Sequence, residues 1–280
     1  MSWTSARGEE MATRCLDDAT FGDEWREWHD RHERERSRPL GFLAITGMHW
    51  LGPTPERFGD VPGAWSSDAS GVHVALSEDE ELLLDDSVLH GVHNFGRLSD
   101  GNHIAANFAD NMVEITTRDG LNLIRPRHPD SEIRLNYAGT RAYPALREWR
   151  VSARFVADAI LQSVRVDVMT EGLHHDFLSP GRAEFELRGK PYALTLFASA
   201  DDELFVLFSD ETAGVTTYGA CRTLEVDPPD EEGIVILDFN RATNLPCAYT
   251  VFTICPLPPP ENRLAVAIEA GEQLPYDASH

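Results

Sequence analysis

The sequence predicts a mainly β fold: an antiparallel β-barrel or β-sandwich with an N-terminal amphipathic helix packed on it. After Gly41, short apolar runs alternate with polar residues at period two, and turn-forming residues interrupt them every eight to twelve residues. The helix is predicted by Phe21, Trp25 and Trp28, which are spaced by four and three residues and therefore share one face. His32 extends the same face, and Pro39 ends the helical pattern.

These patterns divide the chain in order. We expect residues 1–20 to be disordered or loosely ordered, residues 21–38 to form the helix, residues 41–272 to form one all-β domain, and residues 273–280 to form a tail. A subdivision near residues 139–144 stays open, because Gly139 and Pro144 interrupt regular structure. Two hairpin turns are predicted at Gly120 and Gly189, since glycine readily adopts the positive φ of such turns. The candidate strands are 72–76, 112–117, 121–124, 133–137, 151–155, 163–169, 183–187, 192–197, 204–208, 216–224, 234–239 and 263–268.

The net charge of the chain argues against two classes of binding partner. The chain has 280 residues, with 24 Lys and Arg against 47 Asp and Glu, so its formal net charge is -23. A protein with this charge repels phosphate backbones and anionic lipid surfaces. We therefore expect that it binds neither nucleic acid nor membranes. Residues 1–20 lack the apolar core of a signal peptide, and no run approaches the ~20 apolar residues of a membrane span. We therefore expect a cytoplasmic protein.

The four cysteines form no Cys-x-x-Cys pair. They are Cys15, Cys221, Cys247 and Cys255. In a reducing compartment the expected state is a buried free thiol rather than a disulfide.

Several enzyme classes lose support because their motifs are missing. The sequence has no G-x-G-x-x-G after a strand, no Walker A loop, no G-x-S-x-G elbow and no H-E-x-x-H. Lys190 is the single lysine and lies in a predicted turn, which argues against Schiff-base chemistry. His29 and His32 lie on neighbouring helical turns, but we interpret them as packed or surface histidines and predict no metal site.

Polar residues crowd the last third of the chain at positions that strand formation does not require. We predict general acid or base roles for Asp210, Asp238 and Glu261, and a nucleophile role for Cys247. The predicted ligand-binding residues are Arg141 and Arg222, which could hold a carboxylate or phosphate, and Tyr218, Asn240 and Asn262, which could orient it.

Several short motifs, in a fixed order along the chain, resemble the pattern of a known family. They are Gly47-Met48-His49-Trp50-Leu51, Arg57-Phe58-Gly59, Tyr143-Pro144, Trp149-Arg150, the segment from Asp210 through Thr212, Gly214, Thr217-Tyr218-Gly219 to Arg222, Asp238-Phe239-Asn240 with Ala242 and Asn244, Cys247, Cys255-Pro256-Leu257-Pro258-Pro259, Glu261-Asn262 and Ala270-Gly271-Glu272. From about Gly41 to Glu272 the chain resembles the bacterial and archaeal family known as domain of unknown function 1684. The family pattern has Asn-Pro-Pro-Cys where this chain has Asn244-Leu245-Pro246-Cys247. The resemblance implies no particular reaction.

Three functional hypotheses follow. The first is an enzyme, hydrolase-like by default, or a binding protein that holds a small polar or anionic ligand in a β-barrel pocket through the C-terminal polar residues. The alternative is a structural or interaction module in which Arg222 pairs with Asp210 or Asp238 in a buried network. A second alternative is a flavin- or haem-binding barrel. Whether the chain catalyses a reaction, which cofactor it uses and whether it forms a homodimer stay open.

Overall fold

The structure is a computed structural model that describes residues 4–170, 172–199 and 203–275, with side chains from Thr20 onward. The helices are α1 (Thr4–Arg36) and α2 (Glu132–Leu135). The strands of the first half are β1 (His49–Trp50), β2 (Glu56–Arg57), β3 (Ala64–Asp68), β4 (Gly71–Ala75), β5 (Leu82–Leu84), β6 (Ser87–Leu89), β7 (Val92–Gly96), β8 (His103–Phe108), β9 (Asn111–Arg118) and β10 (Leu121–Arg127). Those of the second half are β11 (Arg150–Asp167), β12 (His174–Leu187), β13 (Lys190–Ala198), β14 (Leu204–Phe208), β15 (Arg222–Val226), β16 (Ile234–Asp238) and β17 (Thr243–Asn244).

The described strands form three antiparallel sheets, as the mainly β prediction requires. The six-stranded sheet has the order β1-β10-β9-β8-β5-β6, and the four-stranded sheet has the order β2-β3-β4-β7. The seven-stranded sheet has the order β16-β11-β12-β13-β14-β15-β17. The change from the first two sheets to the third falls between residues 128 and 149, a stretch that includes the possible subdivision near 139–144.

The predicted barrel is not found. In each sheet the two outermost strands of the order pair with one neighbour only within the described residues, so the sheets are open. A barrel needs those outer strands to pair with each other. A pocket at a barrel mouth, and a flavin or haem held inside a barrel, therefore lose the architecture on which we based them.

The two largest of four buried hydrophobic clusters in the described residues lie on the sheets. Trp65 and Val74 of the four-stranded sheet and Val113 and Ile115 of the six-stranded sheet belong to one buried cluster, so these two sheets pack as layers. The second cluster lies on the seven-stranded sheet and includes Phe208 and residues of the C-terminal segment.

The helix α1 docks on the seven-stranded sheet, but it is longer than the predicted 21–38 segment because it begins at Thr4. Phe21 is buried, and the indole N–H of Trp25 donates to the backbone carbonyl of Asn240 at 2.7 Å. None of the helices in the described residues is long and apolar enough to cross a membrane.

Both predicted hairpins are confirmed, with Gly120 between β9 and β10 and Gly189 between β12 and β13. Two predicted strands are wrong, and a third, 216–224, is a strand only from Arg222 onward. Residues 133–137 lie mostly in the short helix α2, whose first turn is capped by the Ser131 hydroxyl accepting from the Arg134 N–H at 3.2 Å. Residues 263–268 form a single bridge, from Arg263 to Ser209, rather than a strand, and the carbonyl of Ile268 accepts from the Arg222 side chain.

Candidate functional site

A cavity of about 430 Å³ lies between α1 and one end of the seven-stranded sheet. We call it the α1 cavity. Trp28 and His32 of α1 form one wall, and residues in or beside β11, β14, β15 and β16 form the other. The cavity is lined by Trp28, His32, Arg150, Glu203, Leu204, Glu225, Val226, Asp227, Pro228, Ile236, Asp238, Arg241 and Thr243.

Carboxylates outnumber guanidinium groups in the α1 cavity. Its acidic residues are Glu203, Glu225, Asp227 and Asp238, and its basic residues are Arg150 and Arg241. Arg241 lies over the Trp28 ring at 5.5 Å from the ring centroid and within 3.7 Å of an Asp238 carboxylate oxygen.

A buried ionic cluster, the Arg36 cluster, lies on the next turn of α1. The Arg36 side chain is only 2% exposed, and it donates to Glu33 and to Glu272, each at 2.6 Å. It also donates to Tyr137 at 3.0 Å, and the distance from its guanidinium to His32 Nε2 is 2.9 Å. The other members are Thr140, Asn244 and Tyr249. Thr140 Oγ1 lies 2.8 Å from Tyr249 Oη, and the Asn244 N–H donates to Glu272 Oε2 at 2.7 Å. The cluster therefore ties α1 to the C-terminal segment.

Burial and neighbouring charge shift the pKa values in this cluster. Burial, together with the charges of Arg36 and His29, lowers the pKa of His32 from 6.5 to about 4. Because a guanidinium can only donate, His32 Nε2 accepts from Arg36 and the neutral ring carries its proton on Nδ1. Burial raises the pKa of Glu272 despite the opposing charge of Arg36. Groups with such shifts cluster at functional sites, which makes this region a candidate site.

Glu33 and Glu272 of the cluster, together with the neighbouring His29 of α1, could meet at one metal ion. The ligand atoms of His29, Glu33 and Glu272 all lie within 4.8 Å of one another. His29 Nε2 and Asn244 Oδ1 are buried and have no hydrogen-bond partner among the described residues. However, Arg36 already donates to both carboxylates, so the arrangement is first an ion-pair network.

Of the polar residues predicted from the last third, Asp238 lines the α1 cavity and the others lie elsewhere. Arg222 is 1% exposed and donates to Asp210 at 2.7 Å and to the carbonyl of Ile268 at 3.1 Å. It also donates to the carbonyl of Ala270. The other carboxylate oxygen of Asp210 accepts from the N–H and the hydroxyl of Thr212 at 2.8 and 2.6 Å. These groups satisfy one another and leave Arg222 no free face for a ligand.

Asn240 and Asn262 brace loops. The Asn240 amide exchanges two hydrogen bonds of 2.9 Å with the backbone of Leu146. The Asn262 amide accepts from the Thr195 N–H at 2.7 Å and donates to the carbonyls of Thr195 and Leu207 at 3.0 and 2.9 Å. Both side chains are fully buried and pair with backbone groups, as an additional strand would.

The expectation of free thiols is wrong for two cysteines. Cys247 and Cys255 are joined by a disulfide, with their Cα atoms 6.0 Å apart. A sulfur bound in a disulfide is not available as the predicted nucleophile, because nucleophilic attack requires a thiolate. Cys221 is a free, buried thiol, and burial raises its pKa to about 12.

The remaining predicted residues are dispersed. Asp238 lines the α1 cavity, and one of its oxygens accepts from the Asn240 side chain at 2.8 Å. Glu261 is exposed beside a separate cavity of about 410 Å³. The Tyr218 hydroxyl donates to the carbonyl of Cys247 at 3.2 Å. Arg141 is exposed, and its carbonyl accepts from the Gln273 N–H at 2.8 Å.

Sequence reasoning missed the Arg36 cluster as a site. Its members come from α1, from residues 137–140 and from residues 244–272, and the Arg36 and Glu272 side chains are 236 positions apart. The signal present in the sequence is the repeat of His29, His32, Glu33 and Arg36 at spacings of three and four, which places all four side chains toward one side of a helix.

Comparison with known protein families identifies one family that matches the chain. The profile of the family described as "Protein of unknown function (DUF1684)" matches residues 135–273. The chain belongs to this family. The DUF1684 match begins at residue 135, whereas the sequence resemblance was expected from about Gly41. Asp238, Arg241 and Glu272 therefore lie inside the matched region, and α1 lies outside it.

One solved structure to which the chain is similar is that of an uncharacterized protein from Haloarcula marismortui, determined by solution NMR. It is 30% identical, and the alignment covers 52% of this chain and 81% of that protein, with a TM-score of 0.44. No curated protein matched the chain.

Proposed function

We propose that this protein binds a small polar molecule with a positively charged group in the α1 cavity. The observation that carries the proposal is the charge of the lining, four carboxylates against two guanidinium groups. A volume of about 430 Å³ also fits within the usual range for small-molecule pockets, about 300–1,000 Å³.

The geometry favours a cation over the anion that the arginines of the last third suggested. Arg222 is taken up by Asp210 and backbone carbonyls, so it does not demand an anionic ligand. In the α1 cavity, Arg241 lies over the Trp28 ring and pairs with Asp238, so these groups are already occupied. Glu203, Glu225 and Asp227 form no ion pair among the described residues, so their carboxylates are the acceptors for a positively charged ligand group.

Binding is better supported than hydrolysis. Of the predicted general acids or bases, Asp210 is paired with Arg222, Asp238 accepts from the Asn240 side chain, and Glu261 lies beside a separate cavity. In the α1 cavity the Nε2 lone pair of His32 is occupied by Arg36. Cys247, the predicted nucleophile, is held in a disulfide. The groups of the Arg36 cluster whose pKa values are shifted then hold α1 against the sheet. In this position Trp28 and His32 complete the cavity wall.

The polar residues around Arg222 support the structural alternative for that part of the chain. Every strong contact of Arg222 goes to a carboxylate or carbonyl of the protein itself. We infer that Arg222, Asp210 and Asn262 fix the C-terminal segment on the sheet rather than contact a ligand.

A thermal-shift screen tests the proposed binding. The panel contains amines, quaternary ammonium compounds and amino acids on one side, and phosphate, citrate and other anions on the other. A ligand present at 100 times its Kd stabilises by about 2.7 kcal/mol, or roughly 5–10 °C for a chain of this size. We expect the positively charged compounds to give such shifts.

Variants locate the site. Glu225→Gln combined with Asp227→Asn removes two cavity charges at exposed positions. Glu78→Gln combined with Asp110→Asn removes two exposed charges away from the cavity and serves as the matched control. The first variant should lose most of the ligand-induced shift, and the control should keep it. Equal responses of the two variants, or shifts from anions alone, would overturn the proposal.

A further inference from the structure

Three arginines meet on one face of the six-stranded sheet. Side chains two residues apart on a strand share a face, so Glu114 and Arg118 of β9 lie on the same side. Arg125 of β10 is the direct partner of Glu114 in the antiparallel ladder and therefore shares that side, as does Arg127 two residues on. We call Arg118, Arg125, Arg127 and Glu114 the arginine face.

The arginine face has an excess of positive charge. Arg125 and Arg127 each donate to a different oxygen of Glu114, a carboxylate whose side chain is 6% exposed. Arg118 donates instead to the Thr116 hydroxyl at 3.0 Å and to a backbone carbonyl at 2.8 Å, and not to a carboxylate. Counting the exposed Asp100 nearby, three guanidinium groups face two carboxylates. This excess is notable in a chain whose formal charge is -23.

Two donors on this face have no acceptor. The Nε atoms of Arg125 and Arg127 are buried and lack a hydrogen-bond partner within the described part of the chain. The two side chains expose only 12% and 17% of their surface. A buried N–H without an acceptor is unfavourable, so a negatively charged acceptor at this face would relieve both the missing bonds and the excess charge.

Two titratable groups at the arginine face, Arg118 and His175, have lowered pKa values. Burial and the charge of Arg125 lower the pKa of Arg118, with Glu114 and Asp100 opposing. His175 reaches this region from β12, and burial together with the charge of Arg118 lowers its pKa, again against Asp100 and Asp176. At both groups the charge of a neighbouring arginine acts in the same direction as burial, as expected where guanidinium groups lie close together.

We propose that the arginine face binds a small oxyanion, either a phosphate or sulfate group or a carboxylate. The site lies on a different sheet from the α1 cavity and does not depend on the function proposed there. Arginine suits this role because its planar donors match the oxygens of carboxylates and phosphates.

Titration with defined anions tests the proposal. Inorganic phosphate, sulfate, acetate and citrate are titrated separately into the full chain in a low-salt zwitterionic buffer, with calorimetry as the readout. Binding by phosphate and sulfate alone assigns a phosphate-type ligand, and binding by acetate and citrate alone assigns a carboxylate. Failure of all four anions to bind would overturn the proposal.

A pair of variants tests the location. Arg118→Gln removes one guanidinium and leaves the bonds of Glu114 in place. Arg154→Gln removes an exposed arginine that pairs with Glu184 on the seven-stranded sheet and is the control. We expect the first variant to weaken anion binding about tenfold or more and the control to change it less than twofold. Equal affinities in the two variants would contradict the assignment.

The pKa of His175 gives a readout that needs no variant of the arginine face. A bound anion offsets the charge of Arg118, so the His175 pKa should rise on saturation with the binding anion. Proton NMR of the histidine ring follows it, with His175→Gln used to assign the signal. Binding that leaves the His175 pKa unchanged would place the anion elsewhere.

Discussion

Replacing Arg222 with methionine should destabilise the protein strongly. The change keeps a long apolar stem but leaves the buried Asp210 carboxylate, 1% exposed, without its cation. It also removes the donors to the carbonyls of Ile268 and Ala270. Breaking one partner of a buried ion pair costs about 3–5 kcal/mol, a large share of a typical total stability of about 5–15 kcal/mol.

Urea unfolding measures this loss. With an m-value of about 3 kcal/mol per molar, the midpoint should fall by about 1–2 M. Arg154→Met is the matched control, because the Arg154 side chain is 68% exposed and exposed pairs contribute about 0–1 kcal/mol. The double change Arg222→Met with Asp210→Asn should recover about 1 kcal/mol or more, since no buried charge is then left unpaired.

Two results would refute this reasoning. One is an Arg222→Met midpoint within the error of the Arg154→Met midpoint. The other is a normally stable Arg222→Met protein that has lost a ligand-induced shift, because that outcome would make Arg222 a binding residue, as first predicted from the sequence.

Three other predictions concern the backbone, the disulfide and pH. Gly271 and Gly120 have nearly the same φ, 72° and 73°, but a Cβ at Gly271 would lie 2.5 and 2.8 Å from two carbonyl oxygens, whereas Gly120 has open space. Gly271→Ala should therefore lower the free energy of unfolding at least about 1 kcal/mol more than Gly120→Ala, and similar urea midpoints would contradict the structure. Cys255→Ser opens a disulfide that spans eight positions, so it should cost about 2–3 kcal/mol by the chain-entropy relation; alkylation of Cys247 in the unreduced wild-type protein would show that the bond is absent. His32 has a pKa of about 4 in the folded protein and 6.5 when unfolded, so the unfolded state binds more protons between these values and stability falls as pH drops from 6.5 toward 4. His32→Gln should flatten that decline in urea midpoints measured at pH 7 and pH 5, and an unchanged slope would contradict it.

Local features of the fold were predictable because they depend on neighbouring residues. The turns at Gly120 and Gly189 follow from the need for positive φ between two alternating runs. The docking face of α1 follows from the spacing of Phe21, Trp25 and Trp28. Residues 133–137 were predicted incorrectly because the Ser131 cap, outside the apolar pattern, decides in favour of a helix.

Features that depend on distant pairs were not predictable. Alternation gives the faces of a strand but not its neighbours, so it could not distinguish open sheets from a barrel. The concentration of polar residues near Arg222 was recognised, yet whether they face a cavity or one another depends on contacts with Ile268 and Ala270. The α1 cavity needs α1 to meet β15 and β16, which no local pattern specifies.

The most direct measurement of the central proposal is a crystal structure of the protein with the most stabilising compound from the thermal-shift screen. Density for that compound between Trp28 and Asp238, with its positively charged group beside the carboxylates of the α1 cavity, is the predicted result. Density at another site, with the α1 cavity empty at saturating ligand, would contradict it.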